Sequence, residues 1–374
     1  MYGLRSSPKA WQDYFATSMS DLGFRRLLSE ANVYANITND VYIMVYVDDI
    51  MVIGDPTKVN KVFEKIQEKM LLKHTGYLDP GEKHYFLGRQ IHNEGNYFDI
   101  KLDDDYIESL LQEVNMTKCN PAPTPGTAAN KSTFADSEPL TPDQHKVYRR
   151  VVGKLQWLSF TRPDIAYSTK ELARGLHQPT ESDWKKAKHL LRHLRGTSSH
   201  TQQLRPTTTL STNKAVLDMD VHVDADWAGC PSTRKSTTGF VIYILGTPVS
   251  FGSRTQATIA LSSAESELYA ICTGTSEGLH LKMFLQESGL ASKVNIRIHT
   301  DSTAGKSIAT RQGTSKKAKH IDIRFLYTQQ LTKDGIISIH KINTTRNTAD
   351  ILTKYISRET LQRLLYATGL HARA

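Results

Sequence analysis

Five acidic residues in the second half of the chain have the types and positions that metal-dependent chemistry needs. A short alternating stretch carries Asp224 and Asp226, while Glu267, Asp301 and Asp350 each stand at the start or edge of a later predicted element. Asp224, or its rival Asp226, would form a group of four carboxylates with the other three, and four carboxylates gathered in one low-dielectric site repel one another. Divalent Mg²⁺ or Mn²⁺ relieves that repulsion, because both ions prefer oxygen ligands. Two such ions about 4 Å apart clamp a phosphodiester for in-line attack by water, so we expect phosphodiester hydrolysis.

Each candidate also has a structural explanation. Asp224 lies near the end of a predicted strand, where it could be a solvated edge residue, and its rival Asp226 lies beyond the regular strand. Glu267, two residues after a capping-box glutamate, could serve only the helix dipole. Asp301 ends a strand and could cap the next helix. Asp350 occupies a predicted first helical turn, where the dipole also favours an acid. The four together are stronger evidence than any one alone.

The elements that must position these carboxylates form one unit after residue 216. Strands alternate with helices there, and three strands precede the first helix. Such an order is typical of an α/β layered domain with a mixed sheet. The predicted strands are 217–225, 239–245, 248–253, 294–300 and 336–342, and the predicted helices are 262–275, 277–288, 302–310, 319–332 and 348–358.

A second acidic pair, Asp48 and Asp49, lies between two apolar strands within residues 41–54. A hairpin turn is one interpretation, although Asp-Asp is a poor two-residue turn compared with Asn-Gly or Asp-Gly. A second metal site is the other interpretation. The residue types alone do not decide between these two interpretations.

The net charge of +9 and the pI of about 9.2 favour a polyanionic partner. Residues 146–200 hold twelve Lys or Arg against four Asp or Glu, which is nearly the whole excess. A solvated helix face is one explanation, and a phosphate-contacting surface is the explanation that this concentration favours. Its candidate contacts are Lys185, Lys188, Arg192 and Arg195, with Lys316, Lys317, Lys319 and His320 as a second group.

Three isolated cysteines, Cys119, Cys230 and Cys272, form no CxxC pair, so neither a zinc site nor a disulfide framework is expected from them. The longest apolar run, residues 41–47, is too short to span a bilayer. We therefore expect no membrane association and a reducing, intracellular environment. Proline-rich and Thr/Ser-rich composition predicts two linkers, at 118–146 and 201–216.

Seven short segments have distinctive motifs: residues 2–11, 46–49, 85–88, 161–167, 224–229, 319–322 and 349–354. Among them, Tyr46-Val47-Asp48-Asp49 is similar to the reverse transcriptase YVDD box. Together the segments resemble the C-terminal part of the Pol polyprotein of copia-type LTR retrotransposons, and residues 217–374 resemble the ribonuclease H of those elements. The resemblance covers nearly the whole chain.

The resemblance implies an α/β (α+β) fold, with a partial polymerase palm and a helical connection followed by a ribonuclease H-like mixed-sheet domain. The implied units are 1–117 palm and thumb, 118–146 linker, 147–200 basic connection, 201–216 linker and 217–374 ribonuclease H. Asp224, Glu267, Asp301 and Asp350 would bind two Mg²⁺ or Mn²⁺ ions and cut RNA paired to DNA. Implied partners are RNA/DNA hybrids and other Pol or Gag-derived chains, in cytoplasmic virus-like particles and the nucleus.

The resemblance also implies a polymerase site at Asp48 and Asp49. The third carboxylate of that site lies upstream of YVDD in the family and before the first residue here, so we expect no DNA synthesis by this chain. The alternative hypothesis is a catalytically inactive transposon remnant that only binds nucleic acid.

Overall fold

The computed structural model describes residues 5–128, 137–207, 215–311 and 325–373, and within them the strands form three sheets. The first sheet is antiparallel, in the order β1-β2-β3-β4, and helices α1 and α2 cover one face. The periodic apolar residues Phe15, Met19, Ile43 and Ile66 meet in its core. The elements are α1 Ser7–Asp21, β1 Arg25–Arg26, β2 Val33–Asn36, β3 Val41–Tyr46, β4 Asp49–Ile53 and α2 Pro56–Lys69.

The second sheet combines three distant parts of the chain in the order β14-β8-β7-β6-β5. Its β8 runs through residues 201–204, which the sequence analysis assigned to a linker, and this assignment is wrong because Thr201, Gln202 and Gln203 are buried. Local composition did not reveal the strand, since its partners are far away in sequence. The strands are β5 Lys83–Phe86, β6 Arg89–Asn93, β7 Phe98–Lys101, β8 His200–Leu204 and β14 Leu370–Ala372.

Four helices pack around one apolar core. Capping boxes at Thr141 and Thr180 start two of them, and the first begins inside the predicted 118–146 linker. Two of the helices are joined by buried polar contacts. The buried Arg162 makes a bidentate ion pair with Asp164, at 2.8 and 2.9 Å, and His193 contacts the same carboxylate at 2.9 Å. The helices are α3 Tyr106–Glu113, α4 Pro142–Ser159, α5 Pro163–Arg174 and α6 Glu181–Gly196.

The third sheet is mixed, as predicted, with the order β11-β10-β9-β12-β13. The central β9 is antiparallel to β10 and parallel to β12. Its alternate residues Leu217, Met219, Val221 and Val223 are buried in the core that includes helix α7. The elements are β9 Ala215–Asp226, β10 Thr237–Ile244, β11 Thr247–Thr255, α7 Ser263–Glu287, β12 Ala291–Thr300, α8 Thr303–Thr310, α9 Tyr327–Lys333, β13 Ile337–Lys341 and α10 Arg358–Leu365.

Two helix predictions in this unit are wrong in detail. The helices predicted at 262–275 and 277–288 are one continuous helix, α7. The helix predicted at 348–358 is a 3₁₀ helix, Thr348–Leu352, followed by α10 at Arg358–Leu365. Part of the predicted 319–332 helix lies outside the described residues.

Helix α7 also contacts the first sheet. The Glu287 carboxylate accepts hydrogen bonds from the backbone of Leu28 and Ser29 at 2.6 and 2.9 Å, and the Ser29 hydroxyl donates to it at 2.6 Å. These bonds hold the pKa of Glu287 below its ordinary value, although burial opposes the shift. In the described part of the chain, none of the helices is long and apolar enough to cross a bilayer.

Candidate active site

Asp224 lies near the carboxyl end of β9, opposite Gly239 of β10. The sequence analysis expected this side chain to reach solvent, but only 3% of the residue is exposed. The Thr353 hydroxyl donates a hydrogen bond to one of its oxygens, and the Lys354 ammonium lies 3.6 Å from the same oxygen. Burial is the main cause that raises the pKa of Asp224, and Asp301 adds to it.

Asp350 reaches the same place from the 3₁₀ helix that runs past β9. The Asn347 amide donates to the Val223 carbonyl at 3.0 Å, and its own oxygen accepts from the Ala349 N–H at 3.3 Å. The 3₁₀ helix is therefore fixed to the strand that carries Asp224. Gly239 permits this approach, because a Cβ there would lie 2.7 Å from the Ala349 carbonyl oxygen.

Asp301 follows the last residue of β12, the strand parallel to β9. Ser302 is the N-cap of α8 and accepts from the Gly305 N–H at 3.0 Å, so Asp301 is not the capping residue. Carboxylate oxygens of Asp224, Asp301 and Asp350 lie within 4.8 Å of one another. This spacing is compatible with shared cations.

Glu267 of α7 is not one of the three residues within 4.8 Å, but it lies close enough for the charges of Asp224 and Asp301 to act on it. Ser262 caps this helix, and the Glu265 carboxylate accepts hydrogen bonds from the Leu261 N–H and the Tyr269 hydroxyl. Glu267 is therefore not a capping residue. Burial raises the pKa of Glu267 to about 9, with the charges of Asp224 and Asp301 as further causes. Its Oε2 is buried and has no hydrogen-bond partner among the described residues.

The electrostatics of the group favour a cation. Burial, then the charge of Asp224, raises the pKa of Asp350 to about 7. Lys354, 3.1 Å from Asp350, is the cation that contacts this carboxylate, and the acids keep its own pKa above the ordinary lysine value although burial opposes this. One ammonium does not balance four carboxylates, and it does not reach the unpartnered oxygen of Glu267. A site with more carboxylates than neighbouring ammonium groups suits a divalent cation such as Mg²⁺ or Mn²⁺.

Local sequence patterns did not predict the roles of Thr353 and Lys354. Both residues lie in the segment 349–354, which belongs to the family resemblance. The four-residue spacing from Asp350 to Lys354 was an available signal, since side chains at that spacing meet on one side of a helical turn.

The other acidic pair lies elsewhere. β3 ends at Tyr46 and β4 begins at Asp49, so the hairpin turn is formed by Val47 and Asp48. Both acids are exposed. Within residues 5–128, 137–207, 215–311 and 325–373, the groups of three metal-ligating side chains do not include Asp48 or Asp49. A metal site there stays a prediction.

The predicted phosphate contacts on α6 divide into two kinds. Lys185 and Lys188 are exposed. Arg192 donates to the Asn120 carbonyl at 2.7 Å and Arg195 to the Cys119 carbonyl at 2.8 Å, so both arginines fasten the preceding segment to the helix. The other predicted contacts lie outside the described residues: Lys316, Lys317, Lys319 and His320.

Known proteins resemble this chain in sequence and in structure. Residues 1–128 match the family model described as reverse transcriptase (RNA-dependent DNA polymerase). The structure is similar to that of a foamy viral protease-reverse transcriptase in complex with RNA/DNA hybrid, with a TM-score of 0.51, 14% identity, and coverage of 92% of this chain and 39% of that one. The chain thus has a mixed α/β fold like that of this reverse transcriptase structure.

Sequence relatives define the family. The chain is 30% identical over 373 residues to the retrovirus-related Pol polyprotein from transposon RE1 of Arabidopsis thaliana, covering 99% of this chain and 24% of that protein. It is 30% identical over 272 residues to a putative transposon Ty5-1 protein of Saccharomyces cerevisiae, covering 71% of this chain and 84% of that protein. The chain belongs to the Pol polyprotein family of copia-type retrotransposons, and it spans about a quarter of the length of the RE1 polyprotein.

Proposed function

We propose that the unit built on the third sheet is a metal-dependent ribonuclease H that cleaves the RNA strand of RNA/DNA hybrids, as the C-terminal part of a retrotransposon reverse transcriptase. The observation that carries the proposal is the meeting of Asp224, Asp301 and Asp350 within 4.8 Å, with Glu267 close enough for the charges of Asp224 and Asp301 to raise its pKa. Membership of the Pol family supports the same conclusion.

Asp224 and Asp301 would hold both Mg²⁺ or Mn²⁺ ions, and Glu267 and Asp350 would each complete the ligand set of one. When bound, such ions lower the pKa of an attacking water and stabilise charge on the leaving 3′ oxygen. Asp350, with a pKa of about 7, and Glu267, with a pKa of about 9, must lose their protons to act as ligands. The proposed activity therefore rises with pH through the neutral range.

Other residues of the chain orient these ligands. The Thr353 hydroxyl fixes one oxygen of Asp224, and Asn347 fixes the backbone that presents Asp350. Lys354 lies between Asp224 and Asp350 and screens their repulsion. This ammonium keeps the carboxylates close together before any divalent ion binds, which reduces the reorganisation that binding requires.

A groove between α4, α5 and β11 supports a nucleic-acid substrate. A cavity of about 490 Å³ lies there, with Phe160, Lys170 and Arg254 on its walls. Both cations already pair with carboxylates, Lys170 with a glutamate at 2.6 Å and Arg254 with another at 2.6 Å. Aromatic surface is therefore the distinctive feature: Phe160 on the groove wall and its neighbour Trp157 outside it are exposed, and the Arg89 guanidinium lies over both rings. Exposed rings of this kind stack on the bases of single strands without sequence preference.

The decisive experiment supplies labelled RNA/DNA hybrid with Mg²⁺, beside the same RNA as a single strand and as an RNA duplex. We expect cleavage of the hybrid alone. Asp301→Asn should abolish cleavage with hybrid binding near normal. Its matched control is Asp218→Asn, which removes a carboxylate from the far end of β9 and should cleave normally.

Two results would contradict the proposal. One is equal cleavage by Asp301→Asn and the parent protein. The other is a folded, hybrid-binding parent that does not cleave, which would favour the inactive-remnant hypothesis.

A further inference from the structure

A second cluster of metal-ligating side chains lies on the second sheet, remote in fold from the acidic site. His92 of β6 pairs directly opposite Asp99 of β7. Side chains directly opposite in an antiparallel pair share one face of the sheet. Glu94 follows His92 by two residues, just past the end of β6, and its Oε1 lies 2.7 Å from His92 Nδ1. One imidazole nitrogen and one oxygen from each of the two carboxylates lie within 4.8 Å of one another.

Asp99 is the buried member of this cluster, with 1% of the residue exposed. Its Oδ1 accepts a hydrogen bond from the Thr201 hydroxyl at 2.9 Å. Its Oδ2 is buried with no hydrogen-bond partner in the described part of the chain. A buried carboxylate oxygen without a partner is costly, so it calls for a cation or a donor that these neighbours do not supply.

The contacts of His92 also indicate that a cation is missing from the cluster. Its Nε2 lies 3.3 Å from the Gly81 carbonyl, which can only accept, so this nitrogen carries the proton. Its Nδ1 lies 2.7 Å from Glu94 Oε1 and 2.9 Å from the Arg373 guanidinium. A lone pair on Nδ1 opposes the carboxylate oxygen, and a proton on Nδ1 opposes the arginine donor. Each protonation state leaves one contact mismatched.

A cation held by all three residues removes both defects. The lone pair of His92 Nδ1 and an oxygen of Glu94 become fellow ligands, and Asp99 Oδ2 gains a partner. The Nε2–H bond to the Gly81 carbonyl is the outer contact that metal-binding histidines usually make, because it fixes the tautomer and orients the ring. Arg373 lies 3.6 Å from Glu94 Oε1 as an ion pair, and 37% of its side chain is exposed, so it can turn to solvent when the cation takes its place beside Glu94.

We propose that His92, Glu94 and Asp99 form a binding site for Zn²⁺. The mixed donor set decides the ion. Imidazole favours zinc over Mg²⁺ or Ca²⁺, and three protein ligands with a further position for water is a common zinc arrangement. The ion would stabilise the β6–β7 hairpin at the centre of the sheet that joins three distant parts of the chain. This inference does not depend on the ribonuclease proposal.

The test titrates Zn²⁺ alone into the full chain carrying Asp301→Asn, which removes one carboxylate of the acidic site. The measured quantities are zinc stoichiometry after dialysis and affinity by calorimetry. We expect one zinc per chain. Asp99→Asn and Glu94→Gln should each weaken binding by at least about tenfold, by analogy with the loss that follows even from removing a supporting contact. Asp103→Asn, an exposed carboxylate beside the same sheet, is the matched control and should bind as the parent does.

Arg373→Gln sharpens the test, because it removes the competing cation and should raise zinc affinity. If Asp99→Asn does not fold, Glu94→Gln decides the question, since Glu94 is only partly buried. Equal zinc affinity in the parent, Glu94→Gln and Arg373→Gln would overturn the proposal and leave Arg373 as the counter-ion of the cluster. Absence of zinc binding by the parent would overturn it as well.

Discussion

Replacing Glu267 by glutamine should stabilise the protein without divalent ions at alkaline pH. Burial and the neighbouring Asp224 and Asp301 raise the pKa of Glu267 to about 9, far above the ordinary glutamate value, while Lys354 opposes the shift. The folded state then holds a proton that the unfolded state releases. Stability is complete below the unfolded pKa and is lost as pH rises towards 9. Glutamine cannot ionise, so the variant lacks this loss.

The magnitude follows from linkage. Between pH 6 and pH 8 the unfolded glutamate is ionised and the folded one is protonated. Each pH unit in that window removes about 1.4 kcal/mol from the free energy of unfolding, so the total is about 2–3 kcal/mol. Asp350, with its pKa raised to about 7, adds to the loss below that pH. Glu267→Gln should remove the contribution of Glu267 and keep that of Asp350.

The assay is urea unfolding in EDTA at pH 6 and pH 8. Glu277→Gln, on the same helix but paired with Arg254 at the surface, is the matched control and should follow the parent. Parallel measurements in Mg²⁺ should reverse the order at pH 8, because the ion binds the ionised carboxylate of the parent and the variant has lost a ligand. The reasoning is refuted if Glu267→Gln and the parent lose the same stability between pH 6 and pH 8 in EDTA.

Three further predictions concern other parts of the molecule. Asp164→Asn leaves the buried Arg162 without its counter-ion, so the free energy of unfolding should fall by about 3–5 kcal/mol in denaturant titrations. Phe160→Ala removes an exposed ring from the groove wall, so binding of single-stranded nucleic acid by fluorescence anisotropy should weaken by about 1–3 kcal/mol. Gly239→Ala places a Cβ 2.7 Å from the Ala349 carbonyl oxygen, so the 3₁₀ helix should shift and hybrid cleavage should fall more than hybrid binding does.

Each of these has a control and a contrary outcome. Asp143→Asn, a solvent-exposed acid, should cost little stability, and an equal loss in Asp164→Asn would show that the ion pair contributes nothing. Tyr14→Ala removes an exposed ring outside the groove, and an equal loss of affinity for single-stranded nucleic acid would exclude the groove. For Gly239→Ala, unchanged cleavage would show that the position of Asp350 does not limit the reaction.

The sequence by itself determined which residues could form the acidic site. The alternation around Asp224 and the capping pattern before Glu267 are local features, and the order of strands and helices predicts a mixed sheet without reference to tertiary contacts. The buried periodic residues of β9 and the helix caps at Thr141 and Thr180 are equally local. Such features are readable because each depends on residues only a few positions apart.

Only the tertiary structure decided which side chains meet. Asp224 and Asp301 come together because β9 and β12 are parallel neighbours, and Asp350 joins them because Gly239 and Asn347 allow a 3₁₀ helix to pass close to β9. The strand β8 in the predicted linker 201–216 forms by pairing with the distant β7. The contact of Lys354 with Asp224 likewise joins residues that are far apart in the sequence. Pairing between distant segments depends on contacts that no local periodicity records, so sequence could supply the ligands and only the fold could assemble them.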